Sequence, residues 1–150
     1  MMFMRQLLHL IIMCMVALIF AVSCDLEKSD NGNLDGYWQW TLIDTITTGG
    51  TCNMKESLIF WGVESDILEI FNNKTNNENI IFRFKHNGDT LILSNPIIDI
   101  RDSSDIIMTN YSLLENYGIH DIPETLLIDF YGSNHITFSN RLFHLYFRKY

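Results

Sequence analysis

The side chains with the most chemical potential are scattered along the chain. His86, His120, His135 and His144 form no His-Glu-x-x-His pair, and no Cys-x-x-Cys accompanies them, so no zinc site is predicted. No Gly-x-Ser-x-Gly elbow offers a serine nucleophile, and no glycine-rich loop is built to cradle a phosphate. Asp30, Asn33 and Asp35 miss the calcium-loop spacing. Glu64 with Asp66, and Asp102 with Asp105, are carboxylate pairs of the kind acid–base catalysis uses. Each pair falls in a polar segment where solubilising turn residues are expected. The expectation is therefore a protein that is not an enzyme, with no metal and no cofactor.

The aromatic side chains are the remaining candidates for function. Trp38, Trp40, Phe60, Trp61, Phe82 and Phe84 could line a pocket for a small apolar ligand, or they could fill a small barrel by themselves. With so short a domain, a filled or narrow interior is the stronger expectation of the two.

The elements that position these rings read as strands. Trp38, Trp40, Leu42 and Asp44 alternate with Gln39, Thr41 and Ile43 across a strand from about 37 to 47, broken by Thr48-Gly49-Gly50. A carboxylate on the tryptophan face is costly unless it is paired or emerges at the barrel mouth, which singles out Asp44. Residues 57–63 and 66–71 are either a hairpin or one strand bent at Gly62. Ile80, Phe82 and Phe84 share a face opposite Arg83 and Lys85. Asn87-Gly88 turns that strand into 89–94, which Pro96 is expected to end. Residues 96–110 are irregular or carry a short edge strand around Ile97 to Ile100. Residues 110–118 are the helix candidate, capped by Asn110 or Ser112 and closed by Gly118. Three strands follow, at 125–131, 135–139 and 142–149, with Leu126, Ile128, Phe130, Ile136, Phe138, Phe143, Leu145 and Phe147 facing inward. Arg148 and Tyr146 share His144's outward or rim face.

Short turns join most of these strands, and no long helices alternate with them. The fold class is all-β, expected as a small antiparallel up-and-down barrel of about eight strands with one short helix. A two-sheet β-sandwich is the alternative.

Upstream of the strands, Arg5 precedes an almost unbroken apolar run from Leu7 to Val22, which suits a signal-peptide core better than a membrane span. The run ends in Ala21-Val22-Ser23-Cys24, which resembles the lipobox of bacterial lipoproteins. That resemblance implies cleavage between Ser23 and Cys24, a diacylglycerol on the Cys24 thiol and an acylated new amine. The implied organisation is a lipoprotein signal peptide at 1–23, a lipidated cysteine with a flexible tether at 24–35, and a folded domain at 36–150. Asp25, Glu27 and Asp30 follow the cysteine. An acidic stretch there resembles a surface-export signal in some Gram-negative lipoproteins, and Asp beside the cysteine resembles inner-membrane retention in others. The outer membrane, facing the periplasm or the cell surface, is the expected location. Cys14 lies in the leader and Cys24 takes the lipid, so Cys52 has no partner for an intrachain disulfide and is expected to be passive and partly buried.

At Gly36-Tyr37-Trp38 the chain resembles the lipocalins, and residues 36–150 resemble the lipocalin-like domains of small lipoproteins from Gram-negative bacteria. The resemblance implies that Trp38 plugs one end of the barrel and that a basic residue near the chain end packs across it. Arg148, in Phe147-Arg148-Lys149-Tyr150, stands where that partner is expected. The candidate helix lies before the last three strands and the domain is short, both departures from a full lipocalin.

The net charge of −8 argues against a nucleic-acid partner, and against the folded domain adhering to anionic lipid. The expected partners are the membrane, through Cys24, and a small apolar ligand held in or at the mouth of the barrel. The alternative is a structural role, with the outer surface contacting an envelope protein or glycan.

Overall fold

The computed structural model describes Gln6, Ser29 and residues 31–74, 79–100 and 104–150. The proposed leader apart from Gln6, together with Cys24, Asp30 and Asp102, lies outside these residues, and so does the cleavage position Ser23.

Among the described residues, the chain folds as strands β1 (Gly36–Thr45), β2 (Thr51–Asn53), β3 (Ile59–Glu64), β4 (Ile67–Asn72), β5 (Asn79–Asn87), β6 (Thr90–Asp99), β7 (Ile106–Ile107), β8 (Glu124–Tyr131), β9 (His135–Ser139) and β10 (Phe143–Lys149). Every pairing is antiparallel, and β1 pairs with both β3 and β10, so the sheet closes on itself. The ring contains β1, β3, β4, β5, β6, β8, β9 and β10, while β2 extends the edge beside β1 and β7 the edge beside β6. This is the expected up-and-down barrel rather than the sandwich. Closure leaves the eight ring strands no free edge along their paired lengths.

The predicted helix is a 3₁₀ helix, Tyr111–Tyr117. Asn110 Oδ1 accepts the Ser112 N–H at 3.0 Å, and Gly118 closes the helix with φ +76°. Met108, Leu114 and Ile119 from this segment join the core, as does Leu34 just before β1.

Of the two readings of residues 57–71 the hairpin is the one found, as β3–β4, with Gly62 inside β3. Other expectations need correction. The short strand β2 was not foreseen. Pro96 does not end its strand, because β6 continues to Asp99 through an irregularity in its pairing with β5 between Ile81 and Arg83. Proline is tolerated at such a bulge, where no ladder N–H is required of it.

Two further bulges invert the alternation. The β1–β10 register shifts between Trp40 and Leu42, so Ile43 rather than Leu42 packs against the core. Asp44 thereby moves to the outside, opposite His144. The β8–β9 register shifts between Ile128 and Phe130, and Phe130 is 57% exposed instead of inward. An extra residue in one strand swaps the face of everything after it, because the side-chain period is two.

Candidate functional site

Closure begins at the first strand. Trp38 is buried, and its indole N–H donates to the Leu34 carbonyl at 2.7 Å. Trp38 pairs across the seam with Lys149, whose ammonium lies 5.0 Å from the centre of the indole ring and donates to the Asn33 carbonyl at 3.0 Å. The cation over Trp38 is therefore Lys149. Arg148 points to the opposite face and donates to Gln39 Oε1 at 3.1 Å. Gly36 has φ +119°, and a Cβ there would come within 3.0 Å of Lys149 Cε, so the glycine lets the lysine stem lie close to the chain.

Five of the six rings proposed for a pocket face the interior. Trp38, Trp40, Trp61, Phe82 and Phe84 belong to one core cluster. Trp61 lies 4.6 Å from Phe147 and 5.8 Å from Phe138, centre to centre, and Trp40 lies 6.3 Å from Phe147. These rings occupy the volume that a ligand would need. The Trp61 indole N–H has no hydrogen-bond partner there.

Phe60, the sixth ring, lies outside the interior cluster, on the outer face of the sheet, where its neighbours bury it. It is stacked on Phe71 at 5.3 Å and meets Tyr150 edge-on at 5.1 Å, and Tyr37 meets Phe71 edge-on at 5.8 Å. Tyr37, Gly62 and Glu69 are successive cross-strand partners on β1, β3 and β4. The Tyr37 ring lies over Gly62: a Cβ on the glycine would stand 3.0 Å from Cε1 and 3.3 Å from Cδ1 of the ring. Glu69 Oε1 accepts from Asn79 Nδ2 at 2.5 Å. Tyr37, Phe60, Glu69, Phe71, Asn79 and Tyr150 line an open cleft of about 380 Å³, rimmed by Asn72 and Asn73, and Gly62 lies beneath the Tyr37 ring. The sequence alone does not single out Tyr37, Glu69, Phe71 and Tyr150 as a site. The available signal was outward-facing aromatic residues on adjacent strands beside a strand glycine.

A polar cluster crosses the outside of β8, β9, β10 and β1. Asp129 takes a hydrogen bond from Ser139 Oγ at 2.8 Å, and its other oxygen lies 3.1 Å from His144 Nδ1. The carboxylate stands between serine and imidazole, so the serine hydroxyl is spent on the aspartate and this is not a nucleophile–base relay. Tyr146 donates to Asp44 Oδ2 at 2.9 Å. That bond, then burial, then the charges of Asp44 and Asp129 push the Tyr146 phenol above its ordinary value. Cys52 is exposed on β2, not partly buried as expected, because all three residues of that edge strand face solvent. Among the described residues no group of histidine, cysteine and carboxylate side chains is placed to hold a metal ion.

Comparisons agree with this architecture. A crystallised lipocalin-like protein from Bacteroides uniformis superposes with a TM-score of 0.60 at 13% identity, covering 79% of this chain and 100% of that one. A crystallised uncharacterized protein from Bacteroides eggerthii gives 0.58 at 15% identity, covering 77% and 98%. At such identities the likeness is one of fold. No curated protein sequence matches the chain. The family model for the lipocalin-like domain matches residues 17–150, and the chain belongs to that family.

Proposed function

We propose that this chain is a non-catalytic binding protein of the bacterial cell envelope, anchored in the outer membrane by a lipid on Cys24, that takes a small ligand on the outer wall of its barrel. The observation that carries the reading is the packing of the interior: Trp38, Trp40, Trp61 and Phe82 are each no more than 1% exposed. A ligand with an apolar face finds accessible rings on the wall instead, at Tyr37 and Tyr150, which are 54% and 82% exposed. Contact with an envelope protein or glycan, the structural alternative, would use the same wall. The non-catalytic part is supported by Ser139, whose hydroxyl is hydrogen-bonded to a carboxylate rather than to a base. Anchoring is supported by the Ala21-Val22-Ser23-Cys24 run and the apolar stretch before it.

Metabolic labelling with an alkyne fatty acid tests the anchor. The wild-type chain should carry the label and sediment with outer membranes, whereas Cys24→Ser should do neither. An unlabelled wild-type chain would overturn the anchoring. Ligand binding that is lost in Tyr37→Ala would support the outer-wall site, and binding undiminished in that variant would overturn it.

A further inference from the structure

The cleft on the outer wall combines two kinds of surface. Tyr37 lies over Gly62, where the missing side chain leaves the ring room to rest on the sheet. Phe71 stands nearly perpendicular to it, at 84°, and forms a wall. Glu69, the cross-strand partner of Gly62, places a carboxylate beside this platform, with Oε2 3.8 Å from where a Gly62 Cβ would be. Asn79 holds the other carboxylate oxygen in place. Phe60, buried between Phe71 and Tyr150, links this platform to the exposed Tyr150 ring.

We propose that this cleft binds a pyranose ring of an uncharged saccharide, with the sugar's C–H face on Tyr37 and its hydroxyls on Glu69 and the neighbouring amides. The inference rests on the outer-wall reading above and names the ligand class. A pyranose has a flat face of C–H groups and a rim of hydroxyls that both donate and accept, which is the pairing this cleft offers. A wholly apolar ligand would strip water from the Glu69 carboxylate without replacing its hydrogen bonds, a costly exchange. An anion would meet that carboxylate with no lysine or arginine among the residues lining the cleft. A compact organic cation is best held by rings surrounding one point, whereas these rings are laid out along the wall from Tyr150 to Phe71.

The test uses the full chain in a nonionic detergent that contains no sugar. Saturation-transfer difference NMR is run against methyl pyranosides and short oligosaccharides of glucose, galactose, mannose and N-acetylglucosamine. At least one should receive saturation, strongest on its ring C–H protons. Tyr37→Ala, Glu69→Gln and Gly62→Ala should each weaken binding about tenfold, the order set by one stacking contact or one charge-assisted hydrogen bond. Gly62→Ala is informative because its methyl group would displace the Tyr37 ring while leaving every binding group present. Phe130→Ala, on β8, should bind as wild type does. Absence of saturation from every sugar overturns the saccharide assignment, as does saturation that survives all three cleft variants. If tetramethylammonium or an apolar dye binds in a Tyr37-dependent way while no sugar does, the ligand class is wrong and the outer-wall reading stands. If an apolar ligand binds and perturbs the tryptophans, both readings fall.

Discussion

Lys149 of the last strand sits over the indole ring of Trp38 in the first, its ammonium 5.0 Å from the ring centre. The contact spans the seam where the barrel closes, between elements at opposite ends of the domain sequence. Lys149→Met should lower stability by about 0.5–2 kcal/mol, the range for a cation over an aromatic face. Arg148→Ala, which removes an outward contact to Gln39, should cost less than Lys149→Met. Urea unfolding of the two variants decides the order. A larger loss from Arg148→Ala would restore the sequence-based assignment.

Gly36 adopts a backbone conformation that disfavours a side chain, at φ +119° beside the Lys149 stem. Gly36→Ala should destabilise by about 1–3 kcal/mol, mainly through backbone strain. The same urea midpoints check this, and an unchanged midpoint would contradict it.

Phe130 and Phe138 test the bulge in β8. Simple alternation places both inside, yet Phe138 is 2% exposed and Phe130 57%. Phe138→Ala should cost about 3–5 kcal/mol, as for an emptied core site. Phe130→Ala should stay within about 0.5 kcal/mol, as for an exposed position. Equal losses would mean that the strand runs without its bulge.

The raised Tyr146 phenol carries a pH signature. A group whose folded value lies above its unfolded value, here near 10.0, contributes stability fully below that unfolded value. The contribution is lost as pH rises through the folded value, so wild type should lose stability above about pH 10 more steeply than Tyr146→Phe does. Urea midpoints of both proteins from neutral to alkaline pH check this, and parallel pH profiles would contradict it.

Much of the barrel was legible in the sequence because its hairpins are local and their alternation is regular. Ile80, Phe82 and Phe84, then Leu91 and Leu93, take the inward faces their spacing predicts. The misplaced residues lie where a bulge changes the count. Ile43, Asp44 and Phe130 each follow an extra residue that no composition signal marks. The Lys149 contact was recoverable, since an inward Phe147 makes Arg148 outward and Lys149 inward. The outer cleft was hidden for a different reason. Tyr37, Phe60 and Phe71 come together only through the register of β1, β3 and β4, which sequence spacing does not supply.

All three tryptophans of the chain lie inside the barrel, so their fluorescence reports on the interior alone. The most direct measurement is tryptophan emission and acrylamide quenching of the full chain, with and without long-chain fatty acids and apolar dyes. A filled barrel with its site on the outer wall predicts blue-shifted emission, weak quenching and no change on adding these ligands. A saturable shift in emission, with protection from quenching, would mean that the interior opens to a ligand and would contradict an outer-wall site.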